Sequence, residues 1–321
     1  MSNAKLGEDV LFLCYNVFLK EYLQRTYPHE HISYYTIDGL ACKLCDTAAP
    51  NYDLLKDALE TMYLEESFPY KHIIIDEGQD FGRERLNDIS VIELLKSNVV
   101  DESKDGSFYL FYDKNQMVQT DVLPSYIADA DCKLTLYRNC RNTENIARTS
   151  LRLLGSDKTP KLFEGSLIGD TPEMYFATDV EQTVKIINKT IDDLWIAGYD
   201  SIQILTCKTE KTSVITDECS TGIYTYQKKK IPFTTFRKYK GLEADAIIMV
   251  DLDADTYQQN AEQLMYVGSS RARFKLYLIS KLSDDDCAII LGDLGGKKAK
   301  RPKKSFAVRY NAKFKELQED I

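Results

Sequence analysis

No run of apolar residues in this chain is long. The most continuous, such as Ala246–Val250 and Ile73–Ile75, fall far short of the roughly 20 residues a helix needs to span a bilayer. The start, Met1-Ser2-Asn3-Ala4-Lys5, lacks the apolar centre of a signal peptide. Histidine is scarce, with three residues, and the eight cysteines include one CxxC, Cys42 and Cys45. A structural zinc site takes about four ligands. No second pair stands at metal spacing, and His29 and His31 are weak candidates, so the thiols read as buried helical groups. The single tryptophan, Trp195, falls in a helical pattern and reads as core. Internal repeats of solenoid length are missing too. These absences give the expectation of a cytoplasmic protein without a membrane contact.

A surplus of positive charge is also lacking. Lys and Arg number 41 against 50 Asp and Glu, a formal charge of −9. That argues against a protein that coats itself with nucleic acid non-specifically, but binding follows the local field, so a local basic groove is compatible with it. What is present is the composition of a soluble globular protein, 44% apolar and 28% charged, with length for two domains of ordinary size.

Short apolar runs alternate with helical patterns from end to end. Val10–Cys14, Ile32–Thr36, Ile73–Ile75 and Phe108–Phe111 read as strands, with an amphipathic helix opening at Phe18–Leu23. The pattern restarts with a helix over Asn142–Leu154, strands at Ile202–Leu205, Ala246–Val250 and Leu276–Ile279, and a helix over Gln263–Arg271. Such alternation predicts an α/β fold, parallel sheets covered by helices on both faces. Pro124 and polar residues interrupt it near Leu123–Lys133. The expected division is a first domain over 1–130, a second over 131–285, and a basic carboxy-terminal tail over 286–321. The run Lys297–Lys304 within that tail reads as solvated, with nucleic-acid contact as the sharper alternative.

The strongest local signal is Lys71-His72-Ile73-Ile74-Ile75-Asp76-Glu77-Gly78-Gln79-Asp80. A buried strand ends here in two acids, which is where an open α/β sheet places its active site. The first acid suits Mg²⁺, usually through water, and the second suits a general base for a water molecule.

Other segments fall around it in a recognisable order. They are Val10-Leu11-Phe12-Leu13-Cys14-Tyr15-Asn16, Tyr34-Tyr35-Thr36-Ile37-Asp38, and Phe111-Tyr112-Asp113-Lys114-Asn115-Gln116. Then come Leu136-Tyr137-Arg138-Asn139-Cys140-Arg141-Asn142-Thr143 and Thr235-Phe236-Arg237-Lys238-Tyr239-Lys240-Gly241-Leu242-Glu243. The last is Leu264-Met265-Tyr266-Val267-Gly268-Ser269-Ser270-Arg271-Ala272-Arg273. With Asp76–Asp80 this set resembles, in order, motifs Ia to VI of superfamily 1 DNA helicases of the UvrD/Rep family. The gaps between motifs are short, so the resemblance is to a compact motor without large accessory insertions.

That resemblance implies two RecA-like domains that hydrolyse ATP with Mg²⁺ and move 3′→5′ on single-stranded or partly duplex DNA, with RNA left open as a track. A fused or associated nuclease is a further implied partner; the oligomeric state is not legible. Carried over by position, Asp76 holds Mg²⁺, Glu77 activates water and Gln116 senses the γ-phosphate. Arg141 and Arg271 act as arginine fingers. Gly241 and Glu243 belong to the nucleotide site, Glu243 by accepting a hydrogen bond from ribose. Tyr15, Asn16, Thr36, Thr235 and Lys240 contact nucleic acid, and Arg273 reads as a surface charge.

The departures matter as much. The family's phosphate-binding loop, Gly-x-x-x-x-Gly-Lys-Ser/Thr, is missing before motif Ia, where only Met1–Asp9 stands. Gly292-Asp293-Leu294-Gly295-Gly296-Lys297-Lys298 imitates it with wrong spacing and in the wrong place. The expectation is therefore a first domain truncated at its amino end and a chain inactive as an ATPase by itself. Cys140 stands where the family usually has an adenine-stacking tyrosine, and Tyr112 replaces a glycine. Asp251-Leu252-Asp253-Ala254-Asp255 with Glu262 mimics a calcium loop, but Thr256 occupies the position that requires glycine. The alternative reading is a non-catalytic module, derived from such a helicase, that binds nucleic acid or a partner.

Overall fold

The computed structural model describes residues 7–81, 89–113, 127, 130–136, 138–258, 262–295 and 299–317. The chain divides into two compact units, Met1–Leu134 and Thr135–Ile321. Both are α/β with parallel sheets, the class expected from the alternating pattern.

In the first unit the order is β1 (Val10–Cys14), α1 (Val17–Thr26), β2 (Ile32–Thr36), α2 (Ile37–Cys45), α3 (Tyr52–Glu65) and β3 (His72–Ile75). After these come α4 (Ile89–Val99), a short hairpin of β4 (Val100–Asp101) and β5 (Lys104–Asp105), and β6 (Ser107–Leu110). The four longer strands form one parallel sheet in the order β2-β1-β3-β6. Central strands of a parallel sheet are buried on both faces and so read as unbroken apolar runs. That is why β1 (VLFLC) and β3 (HIII) sit inside and the more polar β2 (ISYYT) and β6 (SFYL) outside. Leu11, Leu13, Ile73 and Ile75 meet Leu40, Leu55, Leu59 and Leu95 of the helices in one core. Cys42 and Cys45 are half-buried on α2.

At the amino-terminal edge of this sheet, Glu8 receives hydrogen bonds from Lys71 Nζ at 2.7 Å and pairs with His72 Nε2 at 2.8 Å. His72 Nδ1 meets Ser107 Oγ at 2.8 Å, and Lys71 also lies 3.3 Å from Asp105. The Lys71 and His72 bonds hold the Glu8 carboxyl below its ordinary value of 4.5. A depressed folded-state value contributes stability above the unfolded-state value, and that stability is lost as pH falls through the folded one. The melting temperature of the wild type is therefore expected to decline below pH 4.5 more steeply than that of Glu8→Gln, measured by thermal scans across that range. Parallel pH profiles would remove Glu8 from the acid response.

In the second unit the order begins α5 (Glu144–Leu153), β7 (Glu173–Phe176), α6 (Val180–Ile196), β8 (Ile202–Thr206), β9 (Cys219–Ser220), β10 (Ile223–Tyr226), β11 (Lys229–Thr235) and β12 (Ala244–Leu252). It continues with α7 (Ala254–Gln258), α8 (Glu262–Ser269), β13 (Ala272–Ser280), α9 (Asp284–Asp293), α10 (Pro302–Arg309) and β14 (Lys313–Lys315). The sheet runs β14-β7-β13-β12-β8-β11-β10-β9. Pairings from β14 to β11 are parallel, and the last two are antiparallel. The middle strands β8 and β12 are almost wholly buried and mostly apolar. The half-buried Trp195 packs against the core that they form with α6.

The basic tail expected over 286–321 is corrected by the structure. Asp284–Asp293, Pro302–Arg309 and Lys313–Lys315 form α9, α10 and β14, and β14 pairs with β7 in parallel, Phe314 opposite Met174. Phe306 is fully buried, in ring contact with Tyr257 and Tyr310. Two aromatic anchors thus fold a segment whose basic residues alone suggest solvation. Among the described residues no helix is long and apolar enough to cross a membrane.

Candidate functional site

In the first unit the register aligns Leu13 with Ile75 and Cys14 with Thr36. Tyr15-Asn16, Thr36 and Asp76-Glu77 therefore leave the sheet at one carboxyl edge, and Asp76 N donates to Leu13 O at 2.9 Å. Such an edge is where open parallel sheets bind ligands. Asp76 Oδ1 accepts from Glu77 N at 2.9 Å. Glu77 has φ of 56°, the left-handed region, a conformation that costs a non-glycine residue on the order of 1–3 kcal/mol. Its carboxylate is buried and accepts from Gln79 Nε2 at 2.6 Å. Gln79, fully buried, accepts in turn from Asp113 N at 3.2 Å.

Gln79 thus ties the Glu77 side chain to the segment after β6. In the sequence this residue is marked only by its place between two acids, Glu77 and Asp80. Gly78 is required by space, since a Cβ there would lie 2.5 Å from Leu110 Cδ2. Gln116 lies outside the described residues. Burial, and next the charge of Asp76, pushes the Cys14 thiol up to about 12, which makes it a core group and not a nucleophile.

Among the described residues no cluster of three or more His, Cys, Asp or Glu side chains gathers as a metal cage. Mg²⁺ is commonly held by one or two carboxylates together with substrate phosphates and water. A donor set of Asp76 with Glu77 beside it fits an ion that arrives with a nucleotide, not an all-protein site.

The polar side chains assigned to nucleic acid at this edge have local work. Asn16 Oδ1 caps α1 by accepting from Leu19 N at 2.7 Å. Thr36 Oγ1 caps α2 by accepting from Gly39 N at 3.1 Å. Each cap satisfies one of the donors that a helix start leaves without an intrahelical partner. Tyr15 is half-buried, its ring edge-on to Phe81 at 6.2 Å.

In the second unit, Ala244 N donates to Arg271 O at 3.1 Å, so β12 and β13 start side by side. Glu243 and Arg271 immediately precede these starts. Arg141 reaches the same place from far along the chain, and its Nε donates to Glu243 Oε2 at 2.9 Å. Asn142 holds the arrangement: its Nδ2 donates to Ser270 O at 3.0 Å and to Ala272 O at 2.5 Å. Asn139 Oδ1 accepts from Arg141 N at 2.9 Å and Asn142 N at 3.0 Å, and Asn139 Nδ2 donates to Asn142 Oδ1 at 2.8 Å. Asn142 and Asn139 are positioning residues; nothing local marks Asn142, whose side chain bonds to backbone so distant. Arg273 is exposed and pairs with Asp245 at 3.2 Å and with Glu243 at 3.6 Å.

The two arginines assigned as fingers differ in setting. Arg141 is about 40% exposed. Arg271 is buried, its Nε donating to Val267 O at 3.1 Å at the end of α8 and its Nη2 to Ser270 Oγ at 3.3 Å. A cation there also complements the helix dipole.

The segment before Glu243 is a set of turns. Thr235 Oγ1 accepts from Lys238 N at 3.2 Å, Gly241 has φ of 84° where a side chain would be strained, and Tyr239 OH donates to Glu243 O at 2.9 Å. Lys240, expected to contact nucleic acid, is buried. Cys140 is exposed. Two acids of the calcium-loop imitation are occupied by protein. Asp251 accepts from Thr206 Oγ1 and Ser213 Oγ, both at 2.6 Å, and from Val214 N at 2.9 Å; Asp253 pairs with Lys208 at 2.5 Å.

Residues 231–279 match the family described as the UvrD-like helicase C-terminal domain. This segment runs from β11 to β13 and contains Glu243 and Arg271. No curated protein matches the chain. Among solved structures it is similar to the C-terminal domain of a possible DNA helicase from Lactobacillus plantarum WCFS1, at 20% identity. That match covers 44% of this chain and 87% of that one, with a TM-score of 0.32. It is also similar to the PRRSV helicase, at 11% identity over 85% of this chain and 52% of that one, with a TM-score of 0.35.

Proposed function

We propose that this chain contributes two RecA-like domains to an ATP-driven helicase or translocase that moves 3′→5′ on single-stranded DNA. The observation that carries the reading is the meeting of Arg141, Glu243 and Arg271 at the starts of β12 and β13. Three segments far apart in sequence converge where the UvrD-like match lies. Asp76 and Glu77 at the carboxyl edge of the first sheet supply the matching acids: Asp76 for a nucleotide-borne Mg²⁺, Glu77 for the attacking water. Arg141 and Arg271 supply the positive charge that phosphoryl transfer needs.

These 321 residues contain no Gly-x-x-x-x-Gly-Lys-Ser/Thr, so turnover depends on a phosphate-binding loop supplied from outside them. The expected result is no ATP hydrolysis by the chain alone, with or without single-stranded DNA. Turnover appears when a strand and helix carrying that loop are joined to it, and vanishes in Glu77→Gln. Turnover by the isolated chain that Glu77→Gln abolishes would overturn the dependence on an added loop. Failure of the joined protein to hydrolyse ATP would overturn the motor reading itself.

A second reading, a binding module without turnover, is favoured by the commitment of Arg141 to Glu243, of Arg271 to its own helix, and of Asn16 and Thr36 to helix caps. The same assay decides between the two.

A further inference from the structure

The second unit carries a strongly charged groove that the reading above does not use. From Leu294 to Lys315 the chain has nine basic residues and no acidic one, in a protein of net charge −9. Residues of α10, β14, β7 and α6 gather much of this charge along one groove of about 1930 Å³. That exceeds the roughly 300–1,000 Å³ of small-molecule sites. Seven basic and four acidic side chains line it.

The two walls differ. On α6, Lys189 pairs with Asp193 at 3.0 Å and Lys185 with Glu181 at 2.7 Å. Opposite, Lys300, Arg301 and Lys304 make no ion pair among the described residues. Between the walls lie Phe176 and Phe314, ring centroids 5.8 Å apart, with Lys303 Nζ 5.6 Å from the Phe176 centroid.

We infer that this groove holds a single-stranded nucleic acid, its phosphates along Lys300, Arg301 and Lys304 and its bases toward the phenylalanine floor. Like charges held close together repel, and a polyanion relieves that repulsion. A groove that joins basic residues to aromatic rings is the usual means of holding single strands, since every base has a face to stack. An acidic peptide would satisfy the cations but bring no flat base to the half-buried faces of Phe176 and Phe314. The inference rests on charge and geometry in the second unit alone, and neither depends on ATP turnover.

Fluorescence anisotropy of a labelled oligo-dT of about 16 nucleotides, with the full chain, reads it. The groove variant is Lys300→Glu, Arg301→Glu and Lys304→Glu together. The control is Lys133→Glu, Lys158→Glu and Lys211→Glu, the same change of charge at exposed positions outside the groove lining. The groove variant should weaken binding at least roughly tenfold and flatten the slope of log affinity against log salt by about 2, at roughly 0.7 per phosphate contact. The control should shift affinity much less. Should the reversal lower the melting temperature, glutamine at the same three positions carries the comparison. Equal effects of the two variants, or no binding by the wild type at low salt, would overturn the inference. So would displacement of oligo-dT by polyglutamate at matched charge, which would assign the groove to an acidic protein.

Discussion

Arg141→Ala is expected to lower ATP turnover roughly 10³–10⁵-fold, the range measured for arginine fingers, in the protein that joins a phosphate-binding loop to this chain. The melting temperature should barely move. The structure separates the two effects. Arg141 is about 40% exposed and its partner Glu243 about 45%, and an exposed ion pair contributes only about 0–1 kcal/mol. Deleting the guanidinium therefore removes almost nothing from the fold. The loop that carries it is held independently, by Asn139 and Asn142 bonding to backbone. Glu243→Gln, which weakens the pair and keeps Arg141, is the informative companion and should retain far more activity.

Arg271 offers no such separation. It is buried among Val267 and Ser270, so Arg271→Ala lowers stability and rate together, and only the rate per folded molecule is interpretable. A normal rate per folded molecule in Arg141→Ala would reduce the residue to a surface ion pair and sink its assignment as a finger.

How much of this was legible beforehand depended on whether the signal was local. Central strands β1, β3, β8 and β12 announce themselves because a strand buried on both faces is mostly apolar. Asp76 and Glu77 follow directly from β3. Edge strands are quieter: β14 is Lys-Phe-Lys, with one apolar residue, and was read as tail. The hairpin of β10 and β11 was hidden for another reason. Its two-residue turn, Gln227-Lys228, has positive φ at both positions, a conformation usually signalled by Asn-Gly or Asp-Gly. The expected strands and helices say which residues stand near a sheet edge, but not what else uses their side chains. Asn16 and Thr36 were assigned to nucleic acid by position, and the structure shows each capping a helix. Lys240 is assigned to nucleic acid by position in the same way and is buried. The Asn142 bonds join backbone 128 and 130 positions away, a distance no local pattern encodes.

The contact between the segment after β11 and α8 should be the most sensitive packing point of the second unit. Gly268 sits inside α8, and a Cβ added there would stand 2.9 Å from Phe236 Cγ and Cδ1. Phe236 cannot easily retreat: its ring is fully buried and its backbone N–H is bonded to Thr206 O at 3.0 Å. Gly268→Ala gains about 1 kcal/mol of helix propensity but overpacks the contact at a cost of typically 1–3 kcal/mol, so a net loss is expected. Gly268→Leu drives a full side chain into the ring and should cost more. From the other side, Phe236→Ala leaves a cavity and should cost roughly 3–5 kcal/mol, among the largest single effects in the unit. The decisive measurement is the double variant in chemical denaturation. If the glycine is there to admit the ring, Gly268→Leu with Phe236→Ala should be markedly more stable than the sum of the two losses predicts, because the leucine fills the vacated space. Simple additivity would mean that the two residues do not share one packing site, and that Gly268 is glycine for a reason other than Phe236.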